Sequence, residues 1–266
     1  MKAVRMVREV WRFREFVVGS IKREFQSRYQ RSQFGWLWAV LNPLAMILVY
    51  TLIFSEVMVA RLPGLDSNYA YSVYLCTGIV TWALFAEILT RSLNIFVDNA
   101  SLMKKVAFPK VCLPLIVIGS SLLHFAIISA LFIVFLWVTG MLPGWVALDA
   151  IPLLVVEVAL AIGLGILLGT INVFYRDVGQ TMGIVLQFWF WLTPIVYVAS
   201  IIPAPLRRLL EWNPMWPVVQ GYQDIFTAGL SPHWPSIAWV GIIALVAMLL
   251  GMTAFARLQA EIVDDL

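Results

Sequence analysis

Six long apolar stretches, from about 35 to 60, 70 to 95, 111 to 139, 148 to 174, 180 to 200 and 236 to 256, set the terms on which this chain can fold. A helix needs about 20 residues to cross roughly 30 Å of hydrocarbon, so each stretch is long enough for one crossing. Inside a bilayer the backbone finds its hydrogen-bond partners only in helices or closed barrels, and barrel strands would read as short alternating segments. These stretches are continuous. The chain is therefore expected to be an all-α membrane protein with six transmembrane helices. Its 62% of hydrophobic and 12% of charged residues lie far outside the range of soluble domains. Before the first stretch no apolar piece exceeds Phe16-Val17-Val18, too short for a signal-peptide core, so the first span reads as a permanent anchor.

The 18 Lys and Arg residues are placed unevenly. Lys2, Arg5, Arg8, Arg12, Arg14, Lys22, Arg23, Arg28 and Arg31 precede the first span; Lys104, Lys105 and Lys110 lie between spans two and three; Arg176 and Arg257 follow spans four and six. The loops of the opposite side hold only Arg61, Arg207 and Arg208, and Arg91 falls within or at the end of span two. The positive-inside bias then puts both termini in the cytoplasm. The same topology sets Cys76 near the outer end of span two and Cys112 near the inner end of span three, too far apart for a disulfide.

Residues 1–33 read as a region of their own, followed by a six-span domain over 34–257 and a cytoplasmic tail, 258–266. On a helix, Val7, Val10, Trp11, Val18, Ile21, Phe25 and Tyr29 share one face and Arg5, Arg8, Arg12, Glu15, Lys22 and Arg23 the other, with Arg14 and Arg28 breaking the apolar side. Two readings fit: an amphipathic helix in the interface with a further role, or a basic anchor on anionic lipids. Membrane lipids, not nucleic acid, are the expected partner of these charges.

No phosphate loop, H-E-x-x-H, G-x-S-x-G or C-x-x-C occurs, so the chain has no ATPase site and no recognisable catalytic centre. His124 in span three and His233 in an outer loop lack obvious partners and are not read as catalytic or metal-binding. Intramembrane charges say more, because each costs about 2.5 to 3.5 kcal/mol at mid-bilayer. Glu87 and Arg91, four residues apart, can pair on one helix face, with a proton relay as the rival reading. Glu157 has no partner in its own span and faces another helix or a watery path.

Aromatic residues crowd two spans. Span one carries Trp36, Trp38, Tyr50 and Phe54; span five carries Gln187, Phe188, Trp189, Phe190, Trp191 and Tyr197, partly at mid-membrane depth. Belt anchoring explains the first tryptophans but not the span-five cluster. Aromatic faces can stack on sugar rings while Gln187 and Thr193 supply hydrogen bonds, so this wall suits a sliding glycan; ordinary helix packing is the competing account. Two loops add to the picture. Residues 98–110 form a short basic connection, with Asp98 as candidate N-cap and Leu102, Met103 and Val106 as an apolar edge that a partner can grip. Residues 201–235 carry six prolines around two short apolar pieces, near 205–212 and 217–228, which predicts broken helices at the outer mouth. In span four Ala161, Gly165 and Gly169 form a small-residue stripe for close helix contact. Asn42-Pro43 is read as a local break near the start of span one.

"SRYQRSQFGWLWAVLNPL" (27–44) resembles the segment leading into the first span of permease subunits of ABC exporters for bacterial surface polysaccharides, such as O-antigen, capsule and teichoic acid. "MKKVAFPKVCLPL" (103–115), "NVFYRDVGQ" (172–180) and "WNPMWPVVQGYQDIF" (212–226) agree with the same family in order and spacing. One departure is Gln223-Asp224, where related permeases often have Arg before the Asp. The resemblance implies a homodimer in the bacterial inner membrane, paired with two copies of a separate ATPase that binds ATP and Mg, and a lipid-linked glycan as substrate. It further implies that spans one and five line the path, and that Leu102, Met103, Lys104, Lys105 and Phe108 belong to the loop that couples to the ATPase. Arg28, Tyr29 and Arg31 would stand at the cytoplasmic gate, and Trp212, Asn213, Tyr222 and Asp224 at the periplasmic one. A same-fold exporter of a drug, haem or another small hydrophobic compound is the alternative; a secondary transporter is a third.

Overall fold

A computed structural model describes residues 11–29, 37–53, 69–105 and 108–265, and among them every regular element is helical. The α-helices are α1 (Arg14–Tyr29), α2 (Trp38–Thr51), α3 (Ala70–Asp98), α4 (Ala100–Lys105), α5 (Cys112–Thr139), α6 (Ala150–Phe174), α7 (Asp177–Trp191), α8 (Ala204–Leu210), α9 (Met215–Gln223) and α10 (Trp234–Asp265). Four segments are long and apolar enough to cross a membrane: Ala70–Asp98, Cys112–Thr139, Gly144–Phe174 and Trp234–Leu258. They match four of the six expected spans. The other two are shorter here, as α2 and α7.

α6 lies between α3 and α10, and small residues set how closely. A Cβ at Gly165 would come within 2.3 Å of Ser92 Cβ, and one at Gly169 within 2.8 Å of the Ser92 carbonyl, so the anticipated stripe is the α3 contact. A second seam escaped the sequence reading. Gly163 meets the backbone of Ala244 and Met248, and Gly251 meets the backbone of Leu167 and Gly163, which brings α10 against the opposite side of α6. Where lipid is as apolar as leucine, such backbone approach supplies dispersion that bulkier side chains would prevent. The main core runs through Phe85, Ile88, Leu89, Leu153, Leu160, Met215 and Val240. α5 packs on α3, and α2 rests on both through Ile47, Val73, Cys76, Phe132 and Leu136.

Helix ends follow local chemistry. α5 stops at Gly140, whose φ of 71° a side chain would resist, three residues before Pro143. α7 stops at Trp191 because Thr193 precedes Pro194, and the residue before a proline is pushed out of helical geometry. The fifth apolar stretch is thus not one helix to residue 200. At about 22 Å, α7 falls short of a full hydrocarbon crossing and gives way to a folded segment over 192–198. Span one departs in the other direction: α2 continues through Pro43, which is buried, so Asn42-Pro43 does not interrupt it. Asp98 is not an N-cap either, being the last residue of α3. The two short apolar pieces of 201–235 are α8 and α9, the latter prolonged by a π turn over Asp224–Ala228 that ends at Gly229, φ 64°.

Candidate functional site

The end of α7 gathers the predicted aromatic residues, and its helical twist divides them. Phe188 and Trp191 are 66% and 56% exposed, Gln187 is exposed as well, and no other described residue covers that face. Trp189 points the other way. Its ring meets Phe85 edge-on at 5.2 Å and Trp82 at 6.0 Å, and its indole N–H donates to Asn213 Oδ1 at 2.6 Å. Asn213 is a hub between α8 and α9: its amide donates to Thr193 Oγ1 and to the Leu192 carbonyl, and its Oδ1 also accepts from the Met215 N–H. Tyr197 folds back to donate to the Trp191 carbonyl at 2.8 Å. Tyr71 and Tyr74 of α3 donate to carbonyls of the same turn, Tyr71 to Val196 and Tyr74 to Pro194 and Tyr197. Gln223 donates to the Pro194 carbonyl at 3.2 Å, and Gly78 leaves room for its side chain. The broken backbone beyond α7 is thereby satisfied by side chains from α3 and α9, as buried irregular backbone requires.

Beside this turn lie two features built by α9. Tyr222 is buried against Glu157 of α6, and neither the Glu157 carboxylate nor the Tyr222 hydroxyl meets strict hydrogen-bond geometry with another described group. Glu157 thus faces another helix rather than an open path. On the other side of α9, a crevice of about 640 Å³ opens toward α8 and the start of α10, lined by Arg207, Glu211, Trp216, Gln220, Asp224, His233 and Trp239 among others. Burial pushes the Asp224 carboxyl up to about 6. Trp212 is exposed nearby.

At the opposite end of the bundle α1 is docked, and its contacts are not those of a floating amphipathic helix. Ile21 fills the space over Gly119 of α5, Phe16 packs on Phe108 at 5.5 Å, while Trp11 and Val18 stay exposed. Glu24 pairs with Arg91. Arg91 also donates to Ser120 Oγ at 2.8 Å and Ser121 Oγ at 3.1 Å and lies 3.5 Å from Glu87. Glu87 in turn meets His124 Nδ1 at 3.0 Å. The expected Glu87–Arg91 pair is present, but His124 has the partner that the sequence hid, and Glu24 was missed because it lies 67 positions away. In α4, Met103 is buried with Ile95, Phe96, Leu113 and Val117, Leu102 and Phe108 pack on that cluster, and Lys104 is exposed. The apolar edge expected to grip a partner is largely spent inside the chain.

Among the described residues α2 packs mainly on α3 and α5, and α7 on α3 and α6. Trp38 is 48% exposed at the start of α2, and Tyr50 is half-buried against the Ile47 cluster. Trp36, Phe54, Arg31 and Val106 lie outside the described residues, as do the side chains of Arg28, Tyr29 and Lys105. Cys76 and Cys112 are buried free thiols, and among the described residues no cluster of His, Cys, Asp and Glu is placed to hold a metal. The "NVFYRDVGQ" segment makes the corner between α6 and α7, where Asn172 accepts from the Gly179 N–H at 2.8 Å and donates to Asn94 and the Leu93 carbonyl of α3.

The chain has helices long and apolar enough to cross a membrane, and it belongs to the ABC-2 type transporter family, whose model matches residues 17–227. It is 32% identical over 255 residues, 95% of each chain, to an O-antigen export system permease protein RfbA of Klebsiella pneumoniae. It is also similar to the protein of that name in Myxococcus xanthus, at 27% over 99% of this chain and 100% of the relative. The polysialic acid transport protein KpsM of Escherichia coli is 22% identical over 88% and 89% of the two chains.

Proposed function

We propose that this chain is the membrane subunit of an ATP-driven exporter of a surface polysaccharide, carried across the bacterial inner membrane on a lipid. Similarity over nearly the whole chain to permeases named for O-antigen and polysialic acid supports the substrate class. The observation that carries the passage is the uncovered aromatic face of α7, Phe188 and Trp191 with Gln187 between helix turns. Two copies facing one another would turn that face into a wall along which sugar rings slide.

In this reading the chain crosses six times with both termini cytoplasmic, residues 1–33 lie at the membrane surface, 34–257 form the transport domain and 258–266 the tail. α4 and its flanks meet the ATPase, which binds ATP and Mg and is a separate subunit present in two copies. Its closure pushes on Met103 and Phe108, which are packed into the base of α3 and α5, and so moves the spans. Arg28, Tyr29 and Arg31 stand where the glycan enters, and the α8–α9 region guards its exit.

Substituting Phe188 and Trp191 together by Ala is expected to lower surface polysaccharide about tenfold, since each stacked aromatic contact contributes about 0.5 to 1.5 kcal/mol, with the complex still recovered intact. Export at wild-type level would remove the wall. Trp189→Ala is a different experiment, because it strips the Phe85 and Asn213 contacts and is expected to lower the yield of folded protein. One observation favours the rival substrate class: an apolar cavity of about 410 Å³ between α3, α5 and α6, lined by Phe125, Phe132, Leu136 and Leu154, suits a small hydrophobic compound. ATPase stimulation by such compounds without glycan export would select it.

A further inference from the structure

The crevice between α8, α9 and the start of α10 is separate from the α7 face, and its chemistry narrows what it can hold. Its volume of about 640 Å³ is that of a small-molecule site. Asp224 lines it with no side-chain hydrogen bond to any described residue, although it is half-buried. Trp239 lines it and is 46% exposed, leaving ring surface open. Trp216 donates its indole N–H to Gln220 Oε1 at 2.9 Å, which anchors that amide and leaves its nitrogen to donate elsewhere. The remaining charges are poorly suited to an anion: Glu211 adds a second carboxylate, and Arg207 lies 3.9 Å from it. A metal lacks ligands, since no three acidic, His or Cys groups converge among the described residues. An apolar guest would strip water from Asp224 and return nothing.

A guest with hydroxyls on its edge and C–H groups on its face meets all of these conditions. We propose that this crevice is a sugar-binding subsite, in which Asp224 accepts hydrogen bonds from neighbouring hydroxyls, Trp239 packs on the ring face and the Gln220 amide donates. The proposal rests on the glycan-export reading for its ligand and for the outward orientation of α9. It adds a place where sugar is held outside the α7 passage. An emerging chain gripped here has a bias against sliding back.

The test uses the assembled permease and ATPase in nanodiscs, with short oligosaccharides released by mild hydrolysis from the surface polysaccharide of the producing cell. Binding is followed by saturation-transfer NMR titration. Asp224→Asn is expected to weaken binding about tenfold, the value of one charge-assisted hydrogen bond, and Trp239→Ala about fivefold. Gln220→Glu keeps an oxygen acceptor for the buried Trp216 indole while removing the donor nitrogen, which makes it a second variant that preserves this packing, and it is expected to weaken binding a few-fold. Trp145→Ala, on the exposed turn before α6 and outside the crevice lining, should leave this binding unchanged. Equal affinity in wild type, Asp224→Asn and Trp239→Ala overturns the subsite, as does an absence of oligosaccharide binding in a complex whose glycan export is intact; in both cases the export reading stands. Binding that responds to Asp224→Asn in a complex exporting no glycan upholds the subsite and sinks the export reading.

Discussion

Asp224 illustrates how a single group can trade stability for use. Around it stand Arg207 of α8 and Glu211 just beyond that helix, Trp216 and Gln220 from α9, His233, Ser236 and Trp239 around the start of α10, and Tyr74 from α3. Desolvation holds its carboxyl at about 6, whereas in an unfolded chain an aspartate loses its proton near 4. Between those values the folded protein binds a proton that the unfolded chain does not. Stability is therefore highest below about 4 and falls as pH rises to about 6, beyond which the contribution is gone. Asp224→Asn is expected to flatten thermal-unfolding midpoints across that window and to melt at the same or a higher temperature at neutral pH. A slope that survives the substitution assigns it to another group. Other residues in this region were less legible from sequence. Tyr222 and Glu157 meet across 65 positions, as His124 and Glu87 do across 37, and no local pattern announces such pairs. Gln223, seen in sequence only as a departure from related chains, is a buried donor to the Pro194 carbonyl.

Among the elements, the long apolar helices were legible because length and hydropathy alone decide them. What hydropathy leaves out is azimuth. A helix apolar on all sides does not declare which residues face a neighbour, which is why Trp189 and Trp191, two positions apart, were grouped together although one is packed and the other open. The same reason hid Gly163 and Gly251: each has an alanine four positions before it, Ala159 and Ala247, but hydropathy does not say that these two faces meet. Pro43 misled in the opposite sense, since a proline near a helix start forfeits one bond without ending the helix. The glycine contacts are open to a paired test. Gly165→Ala drives a methyl into Ser92 and is expected to cost about 1 to 3 kcal/mol in denaturant unfolding. Gly183→Ala in α7, where nothing lies within 4 Å, is expected to be neutral or to stabilise by up to about 1 kcal/mol through helix propensity. Equal effects at the two sites would remove the close-packing account.

At the scale of the molecule, the export reading proposed above expects a second copy to face the exposed side of α7 and complete the passage. The native cysteines are buried, which makes a single introduced thiol informative. Trp191→Cys in membranes is expected to yield a dimer-sized product with a bis-maleimide spacer, whereas a cysteine replacing Trp145 on the 3-10 turn before α6 is expected to yield none. Cross-linking of equal extent at both sites would argue against two facing copies of α7. The glycine seams on either side of α6 bear on how such a pair can open. Where backbone meets backbone there are no rotamers to rearrange and no partly shifted state of similar energy. In the export reading, the three helices α3, α6 and α10, with α9 buried in the core beside them, are expected to travel as a single block, and any widening of the passage falls to the parts hung on that block: α2 and the turn beyond α7.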